Sequence, residues 1–274
     1  MIKKMVFAMI VLMLTGCNSP QSSDKKGQEK NSSIVENDSN VDNESLPNVE
    51  EEQAKEESVD QQTLSPKKVI EETEKQLKAD IPIKLPKTIS VSSRQHLTAM
   101  TSSDKGQYAV MFLETDEPIP INNDELKDKE VNIATLKGTR FESAEKAAEQ
   151  INHEEHAETG GHEVDLGYGI KGYSEGAAGS QYIGWNEGRW SLVVRGFTEQ
   201  GESVVIEAKK VVEYLETNML PTPHDIGASM LDVTNNNDRK QLISWQEDNI
   251  VYEIETNKNA LDALEIAVSI QENK

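Results

Sequence analysis

A long polar segment limits which part of this 274-residue chain can form a hydrophobic core. Residues 18–65 are mainly Asn, Ser, Gln, Glu, Asp and Lys, with no aromatic residue and only eight apolar residues among 48. This composition buries too little apolar surface to offset the entropy that ordering the segment would cost. We therefore expect an acidic disordered tether over residues 17–65 and one globular domain over residues 66–274. That domain is long enough to build a core without disulfide bonds.

The N-terminus has the pattern of an export signal. Two lysines precede an apolar run at residues 5–14, which is too short to cross about 30 Å of hydrocarbon as a helix. The sequence LTGC follows at residues 14–17 and resembles the lipobox of bacterial lipoproteins. The resemblance implies that a signal peptide, residues 1–16, is cleaved between Gly16 and Cys17. It also implies a diacylglyceryl group on the Cys17 thiol, giving acyl chains of the palmitate type. Two acyl chains hold a protein stably at a membrane, whereas one does not.

A simple secretory signal with an incidental cysteine is the alternative. Cys17 is the only cysteine of the chain, so no internal disulfide can form, and an acylated Cys17 can serve neither as nucleophile nor as metal ligand. Without residues 1–16 the chain keeps 26 basic and 49 acidic residues. Such a charge repels phosphate groups and argues against nucleic-acid binding or a polybasic membrane contact. We expect covalent attachment at the outer face of the cytoplasmic membrane.

Apolar periodicity beyond the tether predicts an α+β fold, in which antiparallel hairpins are covered by amphipathic helices. Strands are expected at residues 96–101, 107–115, 131–136 and 164–170, and in a hairpin at 181–196. Helices are expected from Ser65 and Pro66, from a capping box of Thr139 and Glu142 to Ile151, and over residues 204–215. A proline pair near residues 220–230 marks a candidate boundary between two lobes.

Two segments of the chain are similar to each other. IGWNEGRWSLVV at 183–194 and ISWQEDNIVYEI at 243–254 align without gaps, with Ile, Trp and Glu at matching positions. Each is expected to form two strands around a polar turn, followed by a helix. The sequence therefore predicts a duplicated strand-strand-helix unit. The aromatic residues of these segments could form a ligand-stacking patch, but alternation along each strand favours core packing.

The second of these segments also resembles a domain found in other proteins. The residues that carry the resemblance are Trp245, Glu247, Asp248, Tyr252, Ile254, Ala267 and Ser269. They match the C-terminal part of an uncharacterised domain of Gram-positive extracytoplasmic lipoproteins, and the whole chain resembles a Bacillus-type lipoprotein of this kind. The function of that family is not defined. The resemblance therefore implies a fold and a location but no activity.

A cluster of histidines is the first candidate for a chemical site. The segment INHEEHAETGGHEVDLG at residues 151–167 contains His153, His156 and His162. The His-Glu-x-x-His motif of zinc proteases needs two histidines four residues apart, whereas His153 and His156 are three apart. If the preceding helix continues, His153 should face solvent. The alternative is a loop site of the three histidines with Glu163, because Gly160 and Gly161 would allow the chain to fold back. A solvated loop without metal is the favoured interpretation.

The second candidate is the sequence GYSEG at residues 172–176, which matches the Gly-x-Ser-x-Gly pattern of serine hydrolases. That motif places its serine on a turn between a strand and a helix, whereas Ser174 is followed by more glycines and another strand. We expect no catalytic residue and no cofactor. The favoured function is a non-catalytic binding or interaction module at the cell envelope, whose partner is an envelope protein or a wall component. The alternative is a metal-dependent or serine hydrolase that uses the histidine cluster or Ser174.

Overall fold

The computed structural model describes residues 64–128, 132–234 and 240–270. The predicted signal peptide, the Cys17 lipidation site and the tether up to residue 63 lie outside the described residues. Within these three ranges, no helix has the length and apolar character needed to span a membrane.

Ten strands form one sheet, in the spatial order β1-β2-β3-β10-β9-β8-β7-β6-β5-β4. The strands are β1 His96–Asp104, β2 Gln107–Thr115, β3 Asn132–Arg140, β4 His162–Gly167, β5 Ile170–Ala177, β6 Ser180–Glu187, β7 Trp190–Phe197, β8 Gly227–Asp232, β9 Gln241–Glu247 and β10 Ile250–Thr256. The α-helices of the described ranges are α1 Pro66–Gln76, α2 Ala144–Ala148, α3 Glu202–Leu215 and α4 Ala260–Val268. Short 3-10 helices lie at Asp124–Asp128, His156–Glu158 and Thr198–Gln200. Neighbouring strands are antiparallel except for β7 and β8, which are parallel.

The predicted fold class is wrong. The sequence predicts an α+β domain of antiparallel hairpins covered by amphipathic helices, with a duplicated strand-strand-helix unit, but the dominant feature is one large mixed sheet with few helices. The hairpins merge because β3 pairs with β10, where Leu136 lies opposite Ile254. They also merge where β7 and β8 pair in parallel, with Leu192 opposite Ser229. Alternation along a strand shows which residues share a face, but it cannot show which distant strands pair.

The hydrophobic core lies on both faces of the sheet. Because successive residues of a strand point to opposite faces, Tyr252 and Val251 of β10 belong to different clusters. Tyr252 belongs to the large cluster, to which α3 contributes buried residues such as Val204 and Val211. Val251 belongs to a small cluster with Ile151, Ala147 of α2 and Ala228 of β8. The chain just after α2 is therefore held against the second face of the sheet.

The helix-start predictions had different outcomes. The prediction at Ser65 is confirmed, since its side chain accepts a hydrogen bond from the backbone N of Lys68 at 3.4 Å and caps α1. The predicted capping box at Thr139 is wrong, because Thr139 still belongs to β3 and lies opposite Val251 of β10. Helix α2 begins after Ser143, which caps it instead, and ends at Ala148. The short helix changes the surroundings of the histidines that follow.

Candidate binding site

His153 does not face solvent as the sequence suggested. Its side chain is only 16% exposed, and Nδ1 lies 3.1 Å from the backbone oxygen of Gly227 at the start of β8. Nε2 lies 3.4 Å from Oε1 of Glu155. The prediction assumed that the helix continued to residue 153, whereas α2 ends at Ala148 and the chain then turns onto the sheet.

His156 is buried against the same face of the sheet. Its Nε2 lies 2.9 Å from Oγ of Ser191, which is also buried, and its backbone N donates to Oδ1 of Asn186 at 2.9 Å. The imidazole lies directly over Gly184, where any Cβ atom would be 2.3 Å from Nδ1. Burial lowers the pKa of His156, although nearby glutamates oppose the shift. The ring therefore serves as a neutral packing and hydrogen-bonding group.

The lowered pKa of His156 makes stability depend on pH. The unfolded chain protonates this histidine near its ordinary pKa of about 6.5, whereas the folded chain resists protonation. Stability should therefore fall as the pH drops below about 6.5, by at most about 1.4 kcal/mol per pH unit for this one proton. We expect the His156→Gln variant to lose less stability than the parent chain between about pH 7.5 and 5. Urea unfolding of both proteins at each pH measures the difference between their free energies of unfolding. The pH-dependent contributions of carboxylates, which the two proteins share, cancel in this difference. Equal slopes for the two proteins would contradict the prediction.

The remaining candidate metal ligands lie elsewhere. His162 and Glu163 are exposed on β4, and Glu163 pairs with Lys171 on β5 at 3.0 Å. Among the residues that the structure describes, no three His, Cys, Asp or Glu side chains are grouped so that they could hold a metal ion. The structure thus leaves the four predicted candidates, His153, His156, His162 and Glu163, with separate protein partners or in solvent.

Ser174 lies in the middle of β5. Its Oγ accepts a hydrogen bond from Nε2 of Gln181 at 3.1 Å, and His162 is its neighbour in the strand register. No hydrogen bond joins Ser174 to a histidine in the described ranges. The Gly-x-Ser-x-Gly segment is therefore a stretch of regular strand, and Ser174 lacks the turn into a helix that exposes a hydrolase nucleophile.

The ends of two hairpins share a Trp-x-Glu arrangement that creates a binding feature. At the end of β6, Nε1 of Trp185 donates to Oε1 of Glu187 at 2.6 Å. At the end of β9, Nε1 of Trp245 donates to Oε1 of Glu247 at 3.1 Å. Both tryptophans are buried, as alternation along the strands predicted. Each glutamate is thus held in a fixed position at its hairpin end, with its second oxygen left for another partner.

Lys84, from a distant part of the same chain, forms an ion pair with Glu247 at the end of the β9–β10 hairpin. Residues 81–87 run past it without regular secondary structure, and Nζ of Lys84 lies 3.1 Å from Oε2 of Glu247. The side chains of Lys84 and Glu247 are only 17% and 14% exposed. The hydroxyl of Tyr252 donates to the backbone oxygen of Pro82 at 3.1 Å, and the hydroxyl of Tyr108 accepts from the backbone N of Lys84 at 2.8 Å. The segment is therefore fixed at three points.

The hairpin end of Glu187 remains open. The chain after α3 lies beside it, since Nε1 of Trp190 donates to the backbone oxygen of Pro221 at 3.2 Å. No lysine or arginine of the described ranges forms an ion pair with Glu187. Glu187 lines a pocket of about 380 Å³. Its apolar lining comes from Trp190, Leu192, Leu215, Met219, Leu220 and Pro221. Arg189 also lines the pocket, and its Nη1 donates to the backbone oxygen of Pro223 at 2.8 Å. We call this space the Glu187 pocket, and the side chain of Met219 at its edge is 85% exposed.

The electrostatics around the Glu187 carboxylate favour a cation there, while Arg189 supplies a positive charge elsewhere in the lining. Burial raises the pKa of Glu187, the hydrogen bond from Trp185 partly opposes this shift, and the negative charge of Glu216 raises the pKa further. A carboxylate in such surroundings is stabilised by any positive charge that reaches its free oxygen. The geometry therefore suits a ligand with an apolar body and one positive charge.

A larger groove of about 760 Å³ lies between α1 and residues 82–87. Lysines and glutamates both line it, and Ile270 at its edge is the last residue before the undescribed residues 271–274. By contrast, all residues that line the Glu187 pocket belong to the continuous described range 132–234.

The sequence did not reveal the Glu187 pocket. In the sequence, Glu187 stands out only as an identity between two similar segments, and alternation along the strand favours a place in the core for Trp190. The available signal is Lys84, which has no counterpart in the proline segment at 220–223. This difference can be interpreted only when the structure shows which segment packs at the end of each hairpin.

Searches for similar proteins gave no match: no protein-family model, no curated protein sequence and no solved structure resembles this chain significantly.

Proposed function

We propose that this protein is a non-catalytic binding module, anchored through a diacylglyceryl group on Cys17 at the outer face of the cytoplasmic membrane. Its partner is an envelope protein or a wall component. The observation that supports binding is the Glu187 pocket, which combines an apolar wall with a carboxylate that has no cationic partner in the described ranges. The anchor rests on the lipobox-like sequence at residues 14–17.

The dimensions and the charge of the protein favour this function. Pockets that bind small groups usually have volumes of about 300–1,000 Å³, with apolar walls and a few placed polar groups. The Glu187 pocket falls within this range at about 380 Å³. By contrast, His153, His156 and Ser174 form hydrogen bonds with neighbouring protein groups. The strongly acidic chain also disfavours nucleic acids as partners.

Photo-crosslinking in intact cells tests the binding function. A photoreactive amino acid at Met219, at the edge of the pocket, should give a light-dependent adduct with an envelope component. The same amino acid at Ile206, which is 48% exposed on α3 and does not line the pocket, is the matched control. We expect the Met219 adduct to weaken at least about threefold when Glu187→Gln is added, because the charge in the pocket is lost. Absence of an adduct at Met219, or the same adduct at Ile206, would contradict the proposal.

A further inference from the structure

The two hairpin ends can be compared atom by atom. In each, one carboxylate oxygen of the glutamate accepts a hydrogen bond from a buried tryptophan two residues earlier. At Glu247 the second oxygen lies 3.1 Å from Nζ of Lys84. The Lys84 ammonium also lies 5.9 Å from the ring centre of Tyr252, which occupies the position of Leu192 in the other hairpin. At Glu187 the second oxygen has no lysine or arginine partner among the described residues, and Leu192 lines an open pocket.

We propose that the Glu187 pocket binds a lysine side chain presented by an extended, proline-containing segment of a partner protein. The proposal rests on the proposed binding function and specifies the chemistry of the partner. The occupied hairpin end of Glu247 shows what such a complex requires, since residues 81–87 of this chain, IPIKLPK, supply the lysine there between two prolines.

The arrangement of the carboxylate favours lysine over other cations. A guanidinium binds a carboxylate best when both oxygens are available, but Trp185 already donates to Oε1 of Glu187. A divalent cation needs several oxygen ligands, and Glu187 is the single carboxylate that lines the pocket. An ammonium group is a compact charge that needs only one free oxygen. Its four-carbon stem can pack on apolar walls such as Leu192 and Leu215.

The shape of the occupied hairpin end favours an extended segment. Residues 81–87 lie outside helices and strands, and their backbone bonds to side-chain hydroxyls of the sheet at Pro82 and Lys84. Prolines restrict a free peptide to extended conformations, so that less entropy is lost when it binds. At the Glu187 pocket, the exposed Met219 at the edge offers apolar surface for the residues beside the lysine.

A synthetic peptide tests the inference. The probe is acetylated IPIKLPK amide, and its control carries norleucine, which has an uncharged stem, in place of the first lysine, the residue that corresponds to Lys84. The second lysine is present in both peptides. Calorimetric titration into the detergent-solubilised full chain should show binding of the lysine peptide that is about tenfold tighter than that of the control peptide. Glu187→Gln should remove this tenfold preference. Glu213→Gln removes the same charge from an exposed position of α3 that does not line the pocket, and should keep the preference.

The indole N–H signals of the tryptophans locate the peptide. Trp190 lines the pocket, so its indole signal should shift on titration, whereas that of Trp245, under the occupied hairpin end, should stay in place. Three results would overturn the inference: equal affinity for both peptides, no binding at about 5 mM peptide, or self-association of the chain that protects Met219 from solvent, which would make a second copy the occupant.

The inference and the proposed function fail in different ways. If crosslinking at Met219 captures an envelope component that depends on Glu187 while the peptide does not bind, the lysine inference is wrong and the binding function stands. If the peptide binds with the predicted lysine preference while Met219 gives no adduct in cells, the inference about pocket chemistry stands and the proposed envelope function is wrong.

Discussion

Replacing Cys17 by serine should remove nearly all of the acylated protein from the membrane fraction. A serine hydroxyl cannot form the thioether that carries the diacylglyceryl group, so the protein would lose the two chains that make anchoring stable. The strongly acidic chain offers no electrostatic substitute on an anionic lipid surface. We expect the variant either to appear in the medium or to remain as an uncleaved precursor. Cell fractionation and metabolic labelling with a palmitate analogue measure both outcomes.

The neighbouring position supplies the control for this experiment. Asn18→Ser introduces the same residue one position later and leaves Cys17 in place, so labelling and membrane attachment should persist. The palmitate label distinguishes two proteins that would both be found at the membrane. A lipidated protein carries the label, whereas an uncleaved precursor held by its apolar segment does not. If Cys17→Ser remained labelled, cleaved and membrane-bound, the proposed anchor would be wrong, and Cys17 would be an incidental residue of a secretory signal.

Local elements of the fold could be predicted from the sequence, but the sheet could not. The start of α1 depends on Ser65 and Pro66, which lie next to each other, and the strand at residues 107–115 has an apolar pattern of its own. The decisive pairing of β3 with β10 joins Leu136 and Ile254, which no local pattern connects. The capping box at Thr139 failed for the same reason, because the pairing with β10 takes up this stretch of backbone.

The candidate site was predicted less well than the local elements of the fold. The residue types point to His153, His156 and Ser174, but each of these side chains is hydrogen-bonded to a neighbouring protein group. The Glu187 pocket depends instead on the contrast with the end of another hairpin, where Tyr252 bonds to Pro82, 170 residues earlier in the chain. A polar group becomes a binding feature when its partner is missing, and only the tertiary structure shows this.

The buried position of His156 predicts a severe effect at Gly184. A Cβ atom there would lie 2.3 Å from Nδ1 and 2.5 Å from Cε1 of the His156 ring. The ring has little freedom to move, because Nε2 is hydrogen-bonded to Ser191 and the backbone N to Asn186. Gly184→Ala should therefore lower the free energy of unfolding by about 3 kcal/mol, as overpacking of a rigid interior does. For a domain of this size, that corresponds to a fall in Tm of about 6–12 °C.

Two further variants separate the clash from general effects of alanine. Gly176→Ala is the matched control, because its Cβ would meet nothing closer than a backbone oxygen of Ser180 at 3.9 Å. It should be neutral or slightly stabilising, since alanine restricts the unfolded chain. The double variant Gly184→Ala, His156→Ala removes the clashing ring, so the two changes should be strongly non-additive in thermal and urea unfolding. If Gly184→Ala matched Gly176→Ala in stability, or if the double variant showed simple additivity, His156 would not be packed on Gly184.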